Sequence, residues 1–223
     1  MLNIAIDGPG GSGKSSVAKA LAARMDLKYL DTGALYRALG LALKQRGVDP
    51  EDEQAVAGAL PSVELSLEYA EDGRQLVFVN GEDLTPYLRT QDAADGASKV
   101  AVHGCVRNKL LGIQRETGKR FNVVMDGRDI GTVVLPGADL KIFLTASVEV
   151  RAKRRIGELE KAGHPHGSME EIMEEIAQRD YRDSHREIAP LKQAEDAVLV
   201  DTSSMSLEEV IETVCSMVSS IRK

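Results

Sequence analysis

The sequence predicts an α/β chain built on a parallel sheet. Three observations carry that expectation. Short apolar runs alternate with helical patterns from the N-terminus onward. A glycine-rich loop joins the first run to the first helix. One internal stretch switches to a period of two.

In order, Leu2–Asp7 reads as a strand, and a helix follows from Lys14 to Met25 with Val17, Leu21 and Met25 on one face. Lys28–Asp31 is a second short strand. Ala34 to Gln45 is a second helix, stopped by Gly47. Strand, helix, strand, helix implies crossover connections and parallel pairing. Then Val63, Leu65, Leu67 and Tyr69 alternate with polar residues, and Asp72-Gly73 and Asn80-Gly81 are tight-turn signals, so an antiparallel insert is expected. A helical stretch from Gln91 to Thr117 precedes strands at Phe121–Met125 and Leu140–Leu144. A helix over Val148–Lys161, a breaker cluster at Gly163–Gly167, and a polar helix over Met169–Arg186 ended by Pro190 come next. Ala197–Val200 is the last strand and Leu207–Ile221 the last helix. The expected architecture is therefore three layers: a five-stranded parallel sheet flanked by helices, a small antiparallel β insert and a helical lid. The core would comprise 1–61, 90–162 and 191–223, the insert 62–89, and the lid 163–190.

The 223 residues are 43% hydrophobic, enough for a sizeable core, with no run of membrane-spanning length. The N-terminus lacks a basic leader pattern, so a cytoplasmic location is expected. The two cysteines, Cys105 and Cys215, show no metal spacing and read as reduced and buried. A net charge of −7 disfavours a nucleic-acid polymer as partner. Small anions can still be bound where a few arginines converge.

Gly8-Pro9-Gly10-Gly11-Ser12-Gly13-Lys14-Ser15 satisfies G-x-x-x-x-G-K-[ST] in full. Glycines let the backbone approach phosphate oxygens, and successive N–H groups at a helix N-terminus form an anion nest. Lys14 adds a positive charge near the transferred group, and Ser15 offers a hydroxyl to Mg²⁺; Ser16 continues the cradle. Gly8, Gly10 and Gly13 also fit a dinucleotide fingerprint, with Asp31 near the ribose-binding acid position. That alternative leaves Lys14-Ser15 without a role. A guanine-reading N-K-x-D element is missing, the nearest string being Asn108-Lys109-Leu110-Leu111.

Arginines outside the cradle point to a second anion. Arg37 lies one turn into the second helix, and Arg128 follows the strand end at Asp126-Gly127; both fall where open α/β sheets bind ligands. Arg179, Arg182 and Arg186 are spaced to share one helical face, with Asp180 and Asp183 interleaved. For Arg182 alone, solvated surface is the better reading. A transferase that joins two phosphates needs cations beyond the cradle lysine. An arginine-bearing lid behind a glycine hinge would exclude water. Asp31-Thr32-Gly33 as a lone protease triplet, His164 and His166 as metal ligands, and Met169–Met173 as a cofactor site are all discounted.

The cradle, then Asp31-Thr32-Gly33-Ala34-Leu35-Tyr36-Arg37, Arg89-Thr90-Gln91, Asp126-Gly127-Arg128-Asp129-Ile130-Gly131-Thr132-Val133-Val134, Lys141–Leu144, Arg179-Asp180, Arg182-Asp183 and Ala189-Pro190-Leu191 together resemble bacterial cytidylate kinases. The resemblance runs in order over essentially the whole chain. It implies phosphoryl transfer from ATP to CMP or dCMP with Mg²⁺. It implies that Arg37, Arg128 and Arg186 contact the acceptor phosphate, that Ser98, Arg107 and Asp129 face the cytosine, and that Asp183 with Arg179 holds the ribose. Thr32 stands where the family often has serine. Lys14, Arg128, Arg179 and Arg186 would be catalytic. The resemblance further suggests a monomer. A kinase for another small acceptor, or a non-catalytic nucleotide-binding regulator, remains open at this point.

Overall fold

Ile4, Ala5 and Ile6 are fully buried, so the first strand has apolar neighbours on both faces. The computed structural model, which describes residues 1–221, places this strand, β1 (Asn3–Asp7), in the middle of a five-stranded sheet. The other strands are β2 (Lys28–Asp31), β6 (Val123–Gly127), β7 (Leu140–Thr145) and β8 (Val198–Asp201), in the order β2-β6-β1-β7-β8. β1 pairs in parallel with β7, Ile6 opposite Ile142, and β7 pairs in parallel with β8, Leu144 opposite Val200. The expected parallel sheet flanked by helices is present.

Two compact units divide the chain. One comprises residues 2–27 and 124–223. Its helices are α1 (Lys14–Met25), α6 (Val148–Lys161), α7 (Met169–His185) and α8 (Leu207–Ile221). Val17 and Leu21 of α1 and Val210, Val214 and Val218 of α8 are buried where these helices pack. At the start of α7, Ser168 caps the Glu171 backbone N–H, and Glu171 returns a bond to the Ser168 N–H. That reciprocal cap explains why a helix restarts directly after the 163–167 breaker cluster.

The other unit comprises Met1 and residues 28–123. It contains α2 (Thr32–Gln45), α3 (Glu53–Ala59), α4 (Gln91–Val100), α5 (Gly104–Arg120) and a three-stranded antiparallel sheet of β3 (Leu65–Tyr69), β4 (Gln75–Val79) and β5 (Glu82–Asp83). The β4–β5 turn is Asn80-Gly81, with φ of 50° and 82°. Positive φ at both positions is what a two-residue hairpin with native twist demands. α2 and α4 cross at Gly40 and Gly96. A methyl on Gly40 would lie 2.7 Å from the Gly96 carbonyl carbon, so side chains are excluded from that crossing.

Two expectations are corrected, and one helix is added. The Gln91–Thr117 stretch is two helices, broken at Ala101–His103. His103 adopts an extended conformation, and its Nε2 lies 2.8 Å from the Pro50 carbonyl oxygen, a long-range contact that helical periodicity cannot reveal. The short helix α3, capped by Asp52, stands where the sequence pattern predicts none. Its signal is the Asp52 cap alone, since Val56 is its one buried residue. α7 ends at His185, one residue short of the expected bound, and Arg186 turns extended as its C-cap. Both cysteines are free but only half-buried.

Candidate active site

The cradle begins where β1 ends. Gly8 has φ of 144°, and a methyl there would overlap the Leu144 carbonyl oxygen on β7. Gly13, with φ of 94°, caps α1, so the loop delivers its N–H groups to a helix N-terminus. Lys14 opens α1 and is only 5% exposed. Its Nζ donates to the Pro9 carbonyl at 2.7 Å, which aims the ammonium back along the loop. Burial holds the Lys14 pKa well below the ordinary lysine value. Arg128 pushes the same way, while Asp126 and Asp7 oppose it. The Ser15 hydroxyl donates to Asp126 Oδ2 at 2.7 Å. A hydroxyl and a carboxylate side by side are hard oxygen donors of the kind Mg²⁺ takes.

Next to the cradle lies a cluster of arginines and acids. Arg128 Nε donates to Asp183 Oδ2 at 2.8 Å. Arg186 Nη2 stands 3.3 Å from Asp129 Oδ1, and its Nε donates to the Ala189 carbonyl at 2.6 Å. All four side chains are less than a fifth exposed. Burial would raise the Asp183 carboxyl, but Arg128, Arg179 and Arg186 outweigh it and hold it below the ordinary aspartate value. A methyl on Gly10 would lie 3.7 Å from Arg128 Nη2 and 3.9 Å from Arg179 Cδ and Nε, so both arginines stand over the cradle. Because Arg186 leaves the helix, Arg179, Arg182 and Arg186 do not form a common face. Arg182 is exposed surface.

Several contributors to the site carry no motif in the sequence. Asp7 accepts from the N–H groups of Ile130 at 2.8 Å and Gly131 at 2.7 Å, anchoring the turn that follows Arg128-Asp129. Burial lifts its pKa to about 6; the two N–H bonds lower it, and Asp129 raises it. Arg151, 4% exposed, bonds the Gly10 carbonyl and both oxygens of Asp180. Arg154 donates to Thr202 through its hydroxyl at 3.0 Å and carbonyl at 2.8 Å, and Thr202 Oγ1 reaches Ser12 O at 3.3 Å. The available signal was a run of cations in α6 directly after a strand.

Thr32, Arg37, Ser98 and Arg107 belong to the other compact unit. Asp31 caps α2 by accepting from Ala34 N at 2.9 Å and holds Arg37 Nη2 at 2.6 Å. The buried Arg37 Nε has no hydrogen-bond partner among the described residues. Thr32 is buried at the start of α2, and Ser98 is half-buried on α4. Arg107 is 7% exposed; it donates to the Ala101 carbonyl at 3.1 Å and lies 5.6 Å from the Tyr36 ring centroid. His164 and His166 are exposed, and no cluster of three metal-binding side chains exists among the described residues. No described helix is long and apolar enough to cross a membrane.

A family model described as cytidylate kinase matches residues 4–220. The chain belongs to the cytidylate kinase family. A cytidylate kinase from Geobacillus sp. (strain WCH70) is 50% identical over 217 residues, covering 97% of this chain and 96% of that one. A bifunctional pantoate ligase/cytidylate kinase from Prochlorococcus marinus (strain MIT 9303) is 48% identical over 214 residues; the match covers 96% of this chain and 44% of the longer protein. A crystal structure of an uncharacterized protein from Eubacterium ventriosum ATCC 27560 shares the fold at a TM-score of 0.53 and 13% identity, covering 98% of each chain. Family membership makes this chain a phosphotransferase with a nucleotide substrate, in keeping with the cradle and the arginines beside it.

Proposed function

We propose that the chain transfers the γ-phosphate of ATP to CMP or dCMP, giving ADP and CDP or dCDP. The observation that carries this reading is the set of arginines standing over the cradle, Arg128 and Arg179 against Gly10, with the Lys14 ammonium on the Pro9 carbonyl. A cradle that only binds a nucleotide has no need of them. A transfer that brings two phosphates together does, because it proceeds by positioning and charge neutralisation.

In this reading Gly8 to Ser16 hold the ATP phosphates, and Lys14 follows the transferred group. Ser15 with Asp126 would hold Mg²⁺, the remaining ligands being phosphate oxygens and water. The ion would neutralise phosphate charge. Arg37, Arg128 and Arg186 bind the acceptor phosphate, Asp183 with Arg179 holds the ribose, and Lys14, Arg128, Arg179 and Arg186 supply the catalytic charge. Ser98, Arg107 and Asp129 face the base, and the Thr32 hydroxyl contributes to CMP binding. A carboxylate accepts from the cytosine N4 amine and repels the uracil oxygen at that place. The acceptor is already an anion, so no general base is required. Residues 62–89 serve as the monophosphate-binding insert and 163–190 as a lid that excludes water. The chain acts as a cytoplasmic monomer.

The test is ADP release measured with CMP, dCMP, UMP, AMP and shikimate, each titrated with Mg²⁺. CMP and dCMP should be used at least about tenfold better than UMP, a difference of roughly 1.4 kcal/mol in transition-state binding. An absence of CMP-dependent release, or a preference for the hydroxyl acceptor, would remove the assignment.

A further inference from the structure

We infer that Arg151 and Asp180 form a positioning pair that sets the Arg179 side chain over the phosphate cradle. The inference rests on the kinase reading above and adds residues to which that reading gives no role.

The Arg151 guanidinium joins three segments. Its Nε donates to the Ala146 carbonyl at 2.9 Å, just beyond β7. Its Nη1 donates to Gly10 O at 3.1 Å, inside the cradle, and to Asp180 Oδ1 at 3.1 Å. Its Nη2 donates to Asp180 Oδ2 at 2.6 Å, on α7. The stem also packs on the loop, since a methyl on Gly11 would meet Arg151 Cβ at 3.2 Å. The side chain is 4% exposed, and its Asp180 partner 25%.

A pair this buried adds little net stability, because desolvation offsets the attraction. What a two-pronged arginine–carboxylate contact fixes is direction. Asp180 is the residue after Arg179, so pinning its carboxylate fixes the helical turn from which Arg179 leaves. Arg179 is itself exposed and runs within 3.9 Å of the Gly10 methyl position. Loop carbonyl, Arg151, Asp180 and Arg179 thus form one connected path from the cradle to the cation above it. A lysine at 151 could not span carbonyl and carboxylate together, because its ammonium lacks the planar fork.

The test is a double-mutant cycle on the full chain. Asp180→Asn should lower kcat with ATP and CMP by about tenfold and weaken ATP binding by about threefold, measured well below a melting temperature that itself falls because the buried Arg151 loses its counter-charge. In an Arg179→Ala background the same change should have no further effect on either quantity, because the group being positioned is gone. Asp180→Glu keeps the charge but is one methylene longer; it should reproduce the loss and decides the matter should the asparagine variant not fold. Losses that add fully to those of Arg179→Ala, or wild-type kcat in both Asp180 variants, overturn the inference. A wild-type chain that turns over no CMP refutes the kinase assignment instead, and the pair is then judged on the ATP-binding arm of the cycle.

Discussion

Arg186 Nη2 lies 3.3 Å from Asp129 Oδ1, with both side chains no more than a tenth exposed. The acid assigned to the base and an arginine assigned to the phosphate are therefore neighbours, and one substitution disturbs both. Asp129→Asn keeps the shape but loses the charge. It should raise the KM for CMP by about tenfold and leave the KM for ATP within about twofold, since roughly 1.4 kcal/mol corresponds to each factor of ten. Steady-state kinetics with each substrate varied in turn checks this. Equal losses for both substrates would remove Asp129 from the base site.

Lys14→Met replaces a buried ammonium with an apolar chain of similar length. It should lower kcat by about 10²–10³-fold, the scale seen when one charge-stabilising donor is removed from a transition state. Burial already disfavours the charged form of Lys14, so the melting temperature should stay level or rise. Calorimetry beside the kinetic assay separates the two effects. A large drop in melting temperature would make the lysine structural.

Asp7 yields a pH test. Its folded-state pKa is about 6, against 3.8 as the ordinary value. Between those values the folded chain binds more protons than the unfolded one, so this group's contribution to stability falls as pH rises. Below pH 4 the penalty is absent. Above pH 6 it is complete, on the order of 3 kcal/mol. Asp7→Asn does not titrate, so the stability of wild type relative to the variant should decline from pH 4 to 6.5. Denaturant melts across that range check the sign; parallel curves would reject it.

Gly40→Ala and Gly96→Ala test the α2–α4 crossing. A methyl on Gly40 meets the Gly96 carbonyl carbon at 2.7 Å, whereas one on Gly96 comes no nearer than 3.3 Å to Gly40. Overpacking of this kind costs about 1–3 kcal/mol. Gly40→Ala should fall in that range and Gly96→Ala below it, as read from urea midpoints. A reversed order would show that the helices part more easily than their backbones suggest.

Much of the fold was legible in the residues because it rests on local pattern. The bounds of α1, α6 and α8 match the periodicity residue for residue, and Asn80-Gly81 announced its hairpin. What stayed hidden depends on partners distant in sequence. His103 breaks a helix through a carbonyl 53 residues away, Arg151 finds Asp180 at 29, and Asp7 finds Gly131 at 124. The arginine spacing on α7 was visible, but the bond that draws Arg186 toward Asp129 was not. The roles proposed for single residues at the site rest on a resemblance in motif order, whereas the packing around them depends on contacts between segments distant in sequence.

Gly8 lies so close to the Leu144 carbonyl that no other residue fits, which ties the entrance of the cradle to strand β7. The loop thus takes its shape when the strands pair, and the entropy of ordering it is lost in folding rather than in binding. Preorganisation of this kind links nucleotide affinity to sheet geometry. A substitution that shifts β7 near Leu144, with no atom near a phosphate, should register first as weaker ATP binding and only later as a lower melting temperature.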